Sequence, residues 1–134
     1  MLMAELSKEY KILLIIHVII AFIYGIMYLF FTEMIYTAND APFFDPHFWR
    51  IFGGLMLALG IAGIIGLRMG DWDKIKLLMI FAIIFLIILI IVNITSNIYS
   101  VRSATNLIFH WFDTSLMIVL VVVDIIFYMR EEKK

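Results

Sequence analysis

The chain has 134 residues, of which 65% are hydrophobic, with a mean hydropathy of +1.08 and a formal net charge of −1. Soluble domains run at about 45–50% apolar residues, so this composition belongs to an integral membrane protein. The near-neutral charge points to neither nucleic acid nor an acidic partner, and the absence of cysteine excludes thiolate catalysis, disulfide exchange and Cys-ligated metal or iron–sulfur centres.

About 20 apolar residues cross a bilayer as a helix. Four stretches meet that length, over Ile12–Phe31, Phe48–Leu67, Ile75–Val92 and Leu107–Met129. With their flanks they predict helices over about 10–32, 47–68, 74–98 and 105–130, forming one domain over 1–134. The first stretch is longer than a signal-peptide core, and no small-x-small cleavage site follows it, so it reads as a retained helix. Short polar breaks make successive helices antiparallel neighbours. The expected fold class is therefore all-α, an up-down-up-down four-helix membrane bundle.

Orientation follows from Lys and Arg. Lys8, Lys11, Arg68, Lys74, Lys76, Arg130, Lys133 and Lys134 fall on one side, against Arg50 and Arg102 on the other. The positive-inside rule then places both termini in the cytoplasm. Trp49, Trp72 and Trp111 lie near helix ends, as interfacial aromatics do. The outward loop "TEMIYTANDAPFFDPHFWR", Thr32 to Arg50, is expected to be a membrane-hugging connector, with a lid over the outer mouth of the bundle as the alternative. Pro42 and Pro46 prevent a helix from running through it, and Phe43, Phe44, Phe48 and Trp49 are placed at the interface. "NIT" at Asn93 matches the glycosylation pattern but lies too near the membrane to serve.

The second helix carries Gly54, Ala58, Ala62 and Gly66 at four-residue intervals. This small-xxx-small stripe lets another backbone approach closely. Gly53, Gly60 and Gly63 fall on a different side, so the helix can be crowded from two directions. Tight packing inside the bundle is the simpler use of these faces; homodimerisation or contact with a partner subunit is the other. The third helix is apolar all round from Leu77 to Val92 and is expected to face lipid or an equally apolar partner.

The first and fourth helices differ. Tyr10, His17, Ala21, Tyr24 and Tyr28 share one face of the first. Asn106, His110, Asp113, Met117, Asp124 and Tyr128 share one face of the fourth. Helices with polar faces turn them inward in lipid, or towards a partner. His17 and Asp124 each lie roughly 9 Å inside the cytoplasmic edge, six residues from Lys11 and Arg130 respectively. They are expected to pair, because a lone charge at a helix centre costs about 2.5–3.5 kcal/mol on insertion scales. Such a pair is either a proton or cation site or a hydrogen bond that fixes helix register. Snorkelling of Asp124 towards Arg130 is a further alternative. Tyr24, Tyr28 and Asp113 complete this intramembrane polar groove.

A second polar group lies near the outer side, with Glu33, Arg50, Asn93, Asn97, His110 and Asp113. It reads either as a small outward pocket or as ordinary helix-end polarity. Haem is not expected, since no two transmembrane histidines share a layer. No Glu-x-x-His repeat is present for a di-metal site, and neither a nucleotide loop nor a G-x-S-x-G elbow occurs. No cofactor, metal or catalytic residue is assigned.

The segment "DPHFWRIFGGLMLALGIAGIIGLR" resembles a pattern in small four-helix membrane proteins of the DoxX-like kind, where an Arg opens a Gly/Ala-rich second helix and a basic residue closes it. The resemblance implies a four-helix bundle over most of the chain and, for some relatives, an accessory role beside oxidoreductases. It carries over no catalytic residue. The expected function is a non-enzymatic accessory or assembly subunit of a membrane complex, partnered by lipid and by other membrane subunits or a second copy. The alternatives are a small oligomeric transporter or channel using the groove between the first and fourth helices, and a quinone- or lipid-binding membrane enzyme component.

Overall fold

The computed structural model describes residues 5–39, 45–99 and 103–133, and its regular elements are all α-helices. They are α1 (Lys8–Phe30), α2 (Thr32–Ala38), α3 (Pro46–Met69), α4 (Trp72–Tyr99) and α5 (Ala104–Glu131). Four of them, α1, α3, α4 and α5, are long and apolar enough to cross a membrane. By its internal contacts the chain divides into two units, Met1–Lys74 and Ile75–Lys134.

The first unit is built on α1 and α3. Ser7 caps α1, its hydroxyl accepting from the Tyr10 backbone N–H at 3.2 Å. Asp45 caps α3 by accepting from the His47 N–H at 2.9 Å, and Pro46 takes the first helical position, where a missing N–H leaves no bond unmade. Glycines bring the two helices together. A methyl group built on Gly53 would lie 2.9 Å from the Leu29 nitrogen and 3.0 Å from the Gly25 oxygen. One on Gly60 would lie 2.9 Å from the Phe22 ring, and one on Gly63 2.6 Å from Val18. Contacts thus pair rising numbers on α1 with falling numbers on α3, so these helices run antiparallel. In lipid, where apolar burial adds little, such close approach supplies the packing that holds helices together.

The same hairpin is closed at its other end by the residues before α1. The Leu6 N–H donates to the Gly70 carbonyl at 3.1 Å, Glu5 and Asp71 form an antiparallel bridge, and Tyr10 meets Trp72 edge-on at 5.4 Å. Gly70 ends α3 with a left-handed φ of 63°. Asp71 then starts α4, accepting from the Asp73 N–H at 3.1 Å while its other oxygen holds Lys74 Nζ at 3.1 Å. A side chain at φ 63° is strained, so Gly70→Ala is expected to destabilise the protein by about 1 kcal/mol. A thermal unfolding midpoint measured in detergent checks this.

One expectation is corrected here. The connector after the first helix contains a helix of its own, α2. The α1 backbone breaks at Phe31 (φ −116°, ψ 38°) and resumes one residue later. Pro42 and Pro46 lie beyond this helix and do not oppose it. Its last turn is closed by Asn39 Nδ2, which donates to the Ile35 carbonyl at 2.7 Å. Pro42, Phe43, Phe44 and Arg102 lie outside the described residues.

In the second unit, Lys76 Nζ reaches Glu132 at 3.9 Å, and Asn93 Nδ2 points at the Met117 sulfur at 4.0 Å. The start of α4 therefore lies beside the end of α5. Trp72, Ile75 and Met79 are the buried positions at the start of α4. Most of its later side chains are only partly covered or exposed, as its uniformly apolar sequence predicts.

Candidate functional site

Two places concentrate chemistry, one in each unit. In the first unit, His17 Nδ1 lies 3.0 Å from the Leu13 carbonyl. A carbonyl only accepts, so Nδ1 carries the proton. In the neutral ring Nε2 is then the basic nitrogen, and it is buried. Tyr24 and Tyr28 stack at 6.3 Å. Tyr28 in turn stacks on Trp49 at 5.7 Å and meets Phe52 edge-on at 4.9 Å. Tyr28 of the expected groove is thus engaged by α3, where it builds an aromatic clamp beside the Gly53 contact.

In the second unit the chemistry lies on one seam of α5. His110, Thr114, Met117, Val121, Asp124, Tyr128 and Glu131 follow at alternating steps of four and three. That spacing keeps a straight line on a helix packed in a bundle. Asp124 is 0% exposed and Thr114 1%, and Glu131, His110 and Val121 are also buried. Thr114 hides its hydroxyl by donating to the His110 carbonyl at 2.7 Å, which lets a polar side chain be buried without a partner from another helix. Met117 and Val121 separate the polar pair His110 and Thr114 from Asp124. Asp113 sits at the edge of the seam and is half-buried. Across from it on α4, Asn97 has both amide atoms buried without a hydrogen bond among the described residues.

Thr114 and Glu131 were missed by reading α5 at an eleven-residue repeat from Asp113 to Asp124. The seven-residue repeat, which places Asp124 and Glu131 on one line with Met117, is the signal that finds them.

The remaining expected residues fall elsewhere. Glu33 and Arg50 are exposed, and no ion pair joins them among the described residues. Asn93 is half-buried and is held at Met117. The stripe Gly54, Ala58, Ala62, Gly66 does not lie on one face. Steps of four advance about 400° on a helix, so each member turns about 40° from the last. Gly54 and Ala58 are exposed, Ala62 is half-buried and Gly66 is buried. A methyl group on Gly54 would meet nothing within 4 Å. The glycines that meet α1 are the other set, Gly53, Gly60 and Gly63.

Among the described residues no group of three or more His, Asp or Glu side chains is placed to hold a metal ion. No protein-family model matches the chain, and neither a curated protein nor a solved structure is found to match it.

Proposed function

We propose that the chain is a small, non-enzymatic multi-pass protein of the cell membrane that serves as an accessory or assembly subunit of a larger complex. In this reading its four long helices alternate up and down, both termini are cytoplasmic, and the four-helix plan is of the DoxX-like kind. The observation that carries it is the open half of the glycine stripe. Gly25, Gly53, Gly60 and Gly63 are already used by the α1–α3 contact, yet Gly54 and Ala58 stand exposed with open space at Gly54. A flat patch of small residues on a lipid-exposed helix fits the backbone of another helix better than it fits lipid chains. Purification in mild detergent with mass spectrometry of what accompanies the chain is the test. A stoichiometric membrane partner is expected, and it should be lost in the Gly54→Leu/Ala58→Leu variant while that variant still folds. A partner retained by the double variant would move the interface elsewhere, and a lone homo-oligomer would end the subunit reading.

A second reading rests on the polar seam of α5. A carboxylate as deeply buried as Asp124, in line with His110 and Glu131, is what an ion or proton pathway requires. Pairing of His17 with Asp124 belongs to this reading. Proton flux in liposomes that is lost in Asp124→Asn and in His17→Ala would support it. Flux indifferent to both changes would dismiss it.

A further inference from the structure

We propose that the α1–α3 hairpin carries a binding site for an anionic phospholipid, with Lys8 and Arg68 holding the phosphate. The proposal rests on the chain being embedded in a bilayer, but not on its being a subunit.

Four basic residues gather where the hairpin is closed by the Leu6–Gly70 hydrogen bond. Two are neutralised within the protein. Lys11 Nζ lies 3.0 Å from Glu5, and Lys74 Nζ lies 3.1 Å from Asp71. Lys8 and Arg68 are exposed and make no ion pair among the described residues. They bracket the closing bond, Lys8 two residues after Leu6 and Arg68 two residues before Gly70.

Helical phase puts them on one side. Lys8 lies about 80° round from Val18, and Arg68 about 80° round from Gly60, each in the direction of rising residue number. Val18 and Gly60 both sit on the α1–α3 contact line. In antiparallel helices that sense of rotation is opposite in space, so both residues turn to the same side of the pair. Glu9, the nearest exposed acid in sequence, is turned about 100° away from Lys8.

Each cation also crowns an apolar stripe. Ile15, Ile19 and Ile26 follow Lys8 at seven, eleven and eighteen residues, which keeps them within about 20° of it. All three are exposed. Ile61 precedes Arg68 at seven residues, within about 20° of it, and is exposed, while Leu57, at eleven, packs on Gly25. The hairpin therefore presents two cations on one side, at the ends of α1 and α3 that the closing bond joins, above exposed aliphatic side chains of both helices. That is the layout of a phosphate headgroup above its acyl chains. A choline headgroup places its own cation next to the phosphate and gains less from this pair, so the site selects lipids with net negative charge.

The test is native mass spectrometry of the detergent-purified protein titrated with phosphatidylglycerol or phosphatidylcholine. The wild-type chain should bind phosphatidylglycerol more tightly. Lys8→Gln and Arg68→Gln should each weaken that preference by about fivefold, from the usual contribution of one basic residue near an anionic lipid surface. Arg50→Gln removes the same charge at the opposite end of α3 and should leave the preference intact. Equal loss in all three variants would reduce the effect to net charge and overturn the site. Equal binding of the two lipids by the wild-type chain would overturn it as well, while leaving the bilayer reading and the subunit reading standing. Competition by millimolar inorganic phosphate that abolishes the preference would make this a free-phosphate site, not a lipid site.

Discussion

Gly53→Ala lowers the stability of the folded chain, whereas Gly54→Ala, one residue along, leaves it unchanged or raises it. Both substitutions add one methyl group to the same helix, and both gain the same intrinsic helix preference, up to about 1 kcal/mol. They differ in what the methyl group meets. At Gly53 it arrives 2.9 Å from a backbone nitrogen and 3.0 Å from a backbone oxygen of α1. Backbone atoms in a helix do not yield as a side-chain end does, so α1 and α3 must move apart along the whole contact. Overpacking of this kind costs about 1–3 kcal/mol, and separation also loosens the contacts at Gly60 and Gly63. At Gly54 the methyl group enters open space. Equilibrium unfolding of the two variants in the same detergent decides the matter. Equal stabilities would show that α1 and α3 do not meet through Gly53.

Asp124→Leu is expected to destabilise the folded protein by about 3 kcal/mol, as losing one member of a buried polar arrangement does. Taken alone, the change should help the segment enter a membrane, since Asp near a helix centre is disfavoured by about 2.5–3.5 kcal/mol. The two effects oppose each other and are read by different experiments. Insertion efficiency should rise, while the unfolding midpoint of the inserted protein should fall. Asp124→Asn keeps the shape and the capacity to hydrogen-bond, and should lose about half as much. A leucine variant more stable than the wild type would make Asp124 a tolerated burden and remove the structural ground for the second functional reading.

The long helices were legible in the sequence because lipid leaves little choice. A run of apolar residues in a bilayer must satisfy its own backbone, and only a helix does so locally. Ile75–Val92 is the clearest case, and it lies wholly within α4. Helix α2 was hidden because Thr32–Ala38 is only seven residues long, with no capping side chain at its start. The glycine faces were half legible. Both sets could be found by counting, but only the structure shows Gly53, Gly60 and Gly63 taken up by α1. Which of two glycine faces meets a neighbour depends on that neighbour's side chains, here Val18, Phe22 and Leu29. In α5, Asp124 announced itself as a charge in an apolar run. Thr114 did not, because a residue that bonds to its own helix looks unremarkable in sequence and matters only once it is buried.

The two arginines of α3 fix a length. Arg50 and Arg68 are both exposed and eighteen residues apart on one line of the helix, which separates them by about 27 Å. On α4 the uninterrupted apolar run from Leu77 to Val92 spans about 24 Å. A typical hydrocarbon layer is about 30 Å thick, and thicker in sterol-rich membranes. At α3 and α4 this shortfall is met by snorkelling of the flanking cations or by local thinning of the bilayer, while the longer apolar runs of α1 and α5 reach the full thickness. Tilting α3 would worsen its fit, since it shortens the span further, so the same spacing that anchors α3 also holds it close to upright.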